Sequence, residues 1–256
     1  MKILFYRNSY NPLFESIIYT ITKTKSKFGF LSGSINKESI EKFGPDIIMH
    51  NIPDRTDFPI ENNAISIAFN EIESKNSFSF NDEKSENYIK PFVSLKSSDH
   101  KEEKKYCSDI VYVGSPMIFQ SILDFLVDPK NKIQFKFFSP QPHNISGYCG
   151  VCDNREYFKY YKSSKGCIVE KKDIIRQMDI VISDGNPIIF EKNKSDEAIN
   201  KIKEAVFEGK KFTIEGLSKD EIFEKHTAFD RASEIFKKIG LKKFSQEIIN
   251  SKGWTE

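Results

Sequence analysis

The chain has 256 residues, 38% of them hydrophobic and 30% charged, which excludes an intrinsically disordered protein and leaves room for one large or two small domains. Lys and Arg balance Asp and Glu to a formal net charge of +2, so no large basic surface follows and only local patches remain. Residues 1–6 are not followed by an apolar run, so neither a signal peptide nor a membrane span is expected. The expected location is the cytoplasm, where the four cysteines stay reduced.

Lys2 to Tyr6 reads as a short apolar strand, followed by a polar loop, Arg7 to Pro12. Pro12 suits a helix start, and Leu13, Ile17, Ile18 and Ile21 then recur at helical spacing. Lys23, Lys25 and Lys27 suit the end of that helix and Gly29 its stop. A strand, loop and helix at the start of a chain open a doubly wound domain. No GxGxxG is present in the loop, so the dinucleotide fingerprint is absent.

Ser39 to Phe43 reads as a short helix closed by Gly44-Pro45, and Asp46 to His50 as the next strand. Asn51 to Asn63 is a polar loop, Ile65 to Phe69 a strand, and Asn70-Glu71 the start of another loop. Loops at strand carboxyl ends carry function in such sheets, which makes His50, Asn51 and Glu71 candidates. Ser74 to Asn87 reads as loop or hairpin and Tyr88 to Leu95 as a last strand. Ser97 to Lys105 is charged and poor in apolar residues, and marks the boundary of a first domain, 1–98.

Ser108 to Val113 is nearly continuously apolar and ends in Gly114-Ser115-Pro116. A buried parallel strand has this look. Ile118, Ile122, Leu123, Phe125 and Leu126 then form a helical pattern, so Gly114 and Ser115 sit at a phosphate-facing corner. A glycine that merely ends a strand would read the same way. Ile133 to Phe138 is a strand, Ser139 to Gly150 a loop, and Gly166 to Glu170 a short strand or turn. Lys172 to Met178 reads as a helical turn, Asp179 to Ser183 as a strand, and Asp184 to Pro187 as a turn. Ile188 to Phe190 resumes a strand, and Asp196 to Val206 is a helix that Ser195 can cap. These elements make a second domain, 106–225.

Cys149 and Cys152 are separated by two residues, a spacing that serves zinc, iron or a redox pair. Cys107 and Cys167 complete four thiols without forming a second close pair, so ordinary half-buried cysteines are the simpler reading. In the tail, 226–256, an apolar stripe runs from Phe223 to Ile239, with His226 and Asp230 four residues apart on one helix face and Arg231 next to them. Phe244, Ile248 and Ile249 suggest a last short helix, which Trp254 docks.

This layout resembles a B-type glycosyltransferase, and more narrowly the spore-maturation-type (glycosyl transferases group 1-like) family. Three stretches carry the resemblance. Lys105 to Gly114 is similar to the opening of the family's donor domain, Asp179 to Phe190 with its helix to the late strand, turn and helix, and Glu224 to Arg231 to the histidine–threonine…arginine segment near the C-terminus. The fold it implies is α/β, two Rossmann-like domains facing across a cleft, with residues 1–98 as acceptor domain and 106–225 as donor domain.

The implied activity is sugar transfer from a nucleotide-sugar co-substrate to a carbohydrate, protein or small-molecule acceptor. No metal, nucleic acid or membrane span is implied, and a homodimer is left open. The resemblance places the donor diphosphate near Gly114 and Ser115, with Lys172, Arg176, His226 and Arg231 as binding groups and Glu71 or His50 as the base. The family's Arg-x-x-Glu segment has no match in Glu170 to Met178. Two alternatives therefore stand beside the transferase: a catalytically degenerate binding or scaffold protein of the same fold, and a zinc- or iron-binding protein built on Cys149 and Cys152.

Overall fold

The computed structural model describes residues 1–7, 11–32, 37–51, 64–69, 76–80, 84–93, 104–114, 120–152 and 156–253. The chain divides into two compact units, one of residues 1–94 with 225–253, the other of residues 95–224.

The first unit holds a parallel sheet of β1 (Lys2–Arg7), β2 (Lys27–Ser32), β3 (Ile47–His50) and β4 (Ile65–Ala68), in the order β2-β1-β3-β4. Ile3 to Tyr6 are all buried because β1 is central and covered on both faces. Helix α1 (Pro12–Thr22) follows β1 and buries Phe14, Ile17, Ile18 and Ile21. Asn11 caps it, its Oδ1 accepting from Leu13 N at 3.0 Å and Phe14 N at 3.1 Å.

Strand β2 stands where the sequence reads a basic helix end and a glycine stop. Gly29 sits in the strand and leaves space for two side chains; a Cβ there would stand 3.1 Å from Leu4 Cδ1 and 3.2 Å from the Phe43 ring. Helix α2 (Lys37–Phe43) ends at Gly44, whose φ of +57° is a left-handed stop. The strand expected over 88–95 is reduced to single bridges, Ser79 with Tyr88 and Val93 with Thr227.

The second unit repeats the topology. Its sheet comprises β5 (Ser108–Val113), β6 (Phe135–Phe138), β7 (Ser164–Glu170) and β8 (Pro187–Phe190), all parallel, in the order β6-β5-β7-β8. Ile110, Tyr112, Phe137, Ile168 and Ile188 pack against α3 (Gln120–Val127) and α6 (Ser195–Phe207). Val111, Phe138, Cys167 and Val169 face the other way, toward Tyr161 of α4 (Tyr157–Ser163) and Ile180 of α5 (Ile174–Ile182). Alternation along each strand thus fills both faces, and the unit is doubly wound.

Two expectations are corrected here. Residues 179–183 are not a strand but the end of α5, because Asp173 Oδ1 caps the helix by accepting from Arg176 N at 3.2 Å and the run Ile180-Val181-Ile182 then follows as its apolar last turn. A β-branched run at the end of a buried helix imitates a strand. Ser195 is the first residue of α6 rather than its cap, and its Oγ accepts from Ser121 Oγ at 2.8 Å.

Gly166 lies in the middle of β7, where a Cβ would stand 2.5 Å from Ile188 Cδ1 and 2.9 Å from Ile110 Cδ1. Gly166→Ala is expected to destabilise the second unit by about 1–3 kcal/mol through overpacking, read as a lower urea midpoint at unchanged slope.

Residues 225–253, which hold the last two helices, belong to the first unit. Helix α7 (Lys219–Lys225) stops before α8 (Ala228–Lys238), and α9 (Lys242–Asn250) packs on α8 while α8 packs on α1. The single stripe from 223 to 239 is therefore broken, and His226 precedes α8 rather than sharing a helix face with Asp230. The break is a capping box: Thr227 Oγ1 accepts from Asp230 N, and Asp230 Oδ2 accepts from Thr227 N at 2.8 Å. Lys252 adds an ion pair to Asp230 at 2.7 Å, both side chains nearly buried.

Candidate functional site

In a sheet of order β6-β5-β7-β8 the chain turns one way from β5 to β6 and the other way from β7 to β8. The crevice at the carboxyl ends of β5 and β7 is the place such a sheet offers a ligand. Gly114 closes β5, its N–H donating to Phe138 O at 2.9 Å. Glu170 closes β7, and Lys172, Asp173 and Arg176 follow on the corner into α5. Gln177 pins that corner: its Nε2 donates to Glu170 O at 3.2 Å and Lys171 O at 2.6 Å.

Tyr112 joins the two sides. A Cβ on Gly114 would stand 2.3 Å from the Tyr112 hydroxyl oxygen, so the glycine first of all makes room for this ring. Burial, opposed by Arg176 and helped by Glu170 and Asp173, raises the Tyr112 pKa above the usual phenol value. The hydroxyl therefore stays protonated and lies in the field of all three charges. Tyr112 therefore packs against Gly114 at the end of β5 and carries the electrostatic influence of the corner that follows β7.

Arg176 is held from several sides. Its Nε pairs with Asp173 Oδ2 at 3.1 Å and the guanidinium lies against the Tyr161 hydroxyl. Burial works against its charge, but Tyr161, Asp173 and Asp179 outweigh that and hold its pKa above the ordinary arginine value. Tyr157 donates to Asp179 Oδ2 at 3.1 Å, which fixes the carboxylate behind the arginine. With its side chain 35% exposed, Arg176 is a preorganised cation that still reaches solvent. Lys172 is more exposed and pairs with Glu170 at 2.8 Å. A groove of about 360 Å³ lies along β8 between α5 and α6, lined by Lys171, Gln177, Ile189, Glu191 and Lys194 among others, and Gly114, Tyr112, Lys172 and Arg176 do not line it.

Ser115 and Glu71 fall outside the described residues. His50 ends β3 in the first unit, its Nε2 at 3.1 Å from Ser66 Oγ, with Asn51 buried beside it in sequence. His226 and Arg231 come together at the start of α8, also in the first unit. Arg231 is 3% exposed and donates from Nε to Lys90 O at 3.2 Å and from Nη2 to Lys225 O at 3.1 Å. It ties the 90–91 segment to the C-terminal helices.

Cys149 is exposed, Cys107 and Cys152 are half-buried, and Cys167 is buried. Residues 149–152 run without a turn, and no group of three or more metal-ligating side chains is found among the described residues. Burial pushes the Cys167 thiol up to about 12, and its Sγ donates to Tyr161 O at 3.3 Å. In the native protein at about pH 8, a maleimide is expected to label Cys149 quickly and to leave Cys167 unmodified until unfolding, as read by peptide mass spectrometry. The raised pKa also sets a sign. Between about 9 and about 12 only the unfolded thiol ionises, so this group's contribution to stability is lost as pH rises through that window.

Sequence reasoning missed Tyr112, Tyr161, Asp173 and Asp179. Tyr112 was visible only as one apolar residue in a strand, and the other three gain meaning only once α4 and α5 are placed.

Both units are Rossmann-like: a parallel four-stranded sheet with the same strand order, flanked by helices. No family model matches the chain, and no curated protein does. Among solved structures, the chain is similar to an α1,3-fucosyltransferase crystallised with GDP, at 11% identity and a TM-score of 0.47, over 95% of this chain and 90% of that one. It is also similar to an H444N variant of the wall teichoic acid polymerase TagF, at 10% identity and a TM-score of 0.41, over 97% and 90% of the two chains. A D-isomer specific 2-hydroxyacid dehydrogenase from Lactobacillus delbrueckii ssp. bulgaricus, complexed with NAD, aligns at 8% identity and a TM-score of 0.25, over 100% and 98%.

Proposed function

We propose that the chain is a glycosyltransferase that takes a sugar from a nucleotide-sugar donor held by the second unit. The observation that carries this reading is the placement of Gly114, with the Tyr112 hydroxyl against it, at the carboxyl end of β5, and of Arg176 on the helix that follows β7. A backbone corner, a protonated hydroxyl and a fixed guanidinium are the groups a diphosphate needs. Arg176, with Lys172 at the rim, balances the charge that grows on the leaving diphosphate.

In the reaction the acceptor hydroxyl oxygen forms a bond to the anomeric carbon as the bond from that carbon to the phosphate oxygen breaks. The nucleoside diphosphate leaves with the electron pair. The hydroxyl proton goes to a general base, the role for which the resemblance offers His50 and Glu71. No step calls for a metal ion.

A second reading has its own support. Asp173 and Glu170 already neutralise Arg176 and Lys172, as in a fold kept for binding rather than catalysis. Thermal shift against UDP, GDP, CDP and ADP separates the two readings from an unrelated function. At a hundredfold excess over Kd, one of them is expected to add about 2.7 kcal/mol of stability. No shift with any of them ends the donor-binding proposal. A shift without donor hydrolysis or transfer points to the binding protein. Gly114 variants are poor probes here, because any side chain meets Tyr112 first.

A further inference from the structure

On the α4 side of the second unit's sheet, lysines from three separate segments gather around two tyrosine rings. Tyr106 and Tyr160 meet edge to face, their centroids 4.9 Å apart. Lys105 and Lys159 stand over the Tyr106 ring at 4.7 and 5.2 Å from its centroid, and Lys136 over the Tyr160 ring at 5.1 Å. Lys136 also donates from Nζ to the Lys105 carbonyl, which ties β6 to the segment before β5. Three ammonium groups thus share one small area, and the rings beneath hold them there.

Little opposes their charge. Glu156 reaches the area, and its Oε1 accepts from the Tyr106 hydroxyl at 3.0 Å. Asp109 points to the same face of β5 as Val111 and is paired with Lys165 at 2.7 Å. Neither Lys136 nor Lys159 forms an ion pair among the described residues. Like charges gathered in this way repel one another, and an anionic partner relieves the repulsion.

The neighbouring surface is apolar. Residues 147–150 run along the outer edge of β6, where the Phe137 N–H donates to Gly147 O at 2.8 Å and the Ser139 N–H to Gly150 O at 3.1 Å. Cys152 then packs against the same cluster as Phe138 and Tyr160. Val151 stands out before it, 72% exposed, more than any other large hydrophobic side chain described. Nucleic acid suits this surface less well. Tyr106 is buried and Tyr160 carries Lys136 over its ring, so neither offers an open face on which a base can stack, and an exposed valine gains nothing from a phosphate backbone.

We propose that Lys105, Lys136, Lys159 and Val151 form a surface by which the second unit docks on an anionic lipid bilayer. The lysines meet headgroup phosphates, and Val151 enters the boundary between headgroups and acyl chains. A lysine close to an anionic leaflet is worth about fivefold in partition, so three give about a hundredfold preference for anionic over neutral vesicles.

Flotation of the full chain with phosphatidylcholine vesicles, with and without about 30% phosphatidylglycerol, tests this. The protein is expected to float with the anionic vesicles and to lose most of that binding in about 0.5 M NaCl, where surface charges are screened. Lys105→Ala, Lys136→Ala and Lys159→Ala are each expected to lower partition about fivefold, and the variant that combines them to fall to the level of neutral vesicles. Val151→Asp is expected to lower it about tenfold or more. Lys136→Arg keeps the charge and is expected to retain most of the binding, and serves if an alanine variant does not fold. Lys203→Ala, at an exposed position on α6, controls for net charge and is expected to bind like wild type. No flotation, or equal flotation with neutral and anionic vesicles, overturns the proposal. So does unchanged binding in the combined variant, an equal loss in Lys203→Ala, or retention by poly(U) without flotation.

Discussion

Arg176→Met is expected to weaken the affinity for the stabilising nucleoside diphosphate by about thirty- to hundredfold. Isothermal titration of wild type and variant measures it. The size follows from how the arginine is held. Asp173 at 3.1 Å, the Tyr161 hydroxyl and the Asp179 carboxylate fix the guanidinium before any ligand arrives, so little ordering opposes binding. Arg176→Lys keeps the charge but loses the planar fork, and an intermediate loss of about tenfold is expected. Lys172→Ala is expected to cost much less, because Lys172 is exposed and already paired with Glu170. A split by phosphate supplies the control. If Arg176 meets the diphosphate, the variant discriminates against the nucleoside diphosphate and leaves weak binding of the bare nucleoside unchanged. An equal loss for both would mean that the corner had collapsed, and an unchanged affinity for both would remove Arg176 from the site.

Arg231→Met is expected to destabilise the first unit by about 3–5 kcal/mol, the largest stability effect proposed for a single side chain of this protein. Arg231 is 3% exposed and serves the carbonyls of Lys90, Pro91 and Lys225 as well as Glu234, whose Oε1 accepts from its Nη1 at 2.8 Å. Methionine fills much of the volume but leaves these carbonyls without their donor. Urea unfolding followed by circular dichroism reads the loss. The same variant separates two roles for this residue. Nucleotide affinity that persists in folded Arg231→Met assigns the arginine to architecture. Affinity that vanishes while the midpoint holds assigns it to the donor, as the family resemblance implies.

Much of the architecture was legible because its signals are local. Lys2 to Tyr6 and Ser108 to Val113 are apolar throughout, as buried parallel strands must be, and Pro12 and Gly44 mark helix boundaries by backbone geometry alone. Strand β2 was hidden because Lys23, Lys25 and Lys27 imitate a helix end and Gly29 a stop. Its edge position leaves Phe30 half exposed, so no buried run announces it. The second half of α5 was hidden for the opposite reason: its buried end, with Ile180, Val181 and Ile182 in a row, looks like a strand.

The sequence by itself determined two α/β units, a corner at Gly114 and a set of charged candidates, since strand hydrophobicity, turn residues and helix periodicity are properties of neighbouring residues. Only the tertiary structure decided which candidates lie in the same unit. Parallel pairing of β5 with β7 sets Gly114 and Tyr112 at the same end of the sheet as Glu170 and the start of α5, whereas His226 and Arg231 close a helix junction in the first unit. The physical reason is that a cation becomes a binding group or a structural clamp according to which carboxylates, hydroxyls and carbonyls surround it, and parallel strand order sets those surroundings from segments far apart in the chain.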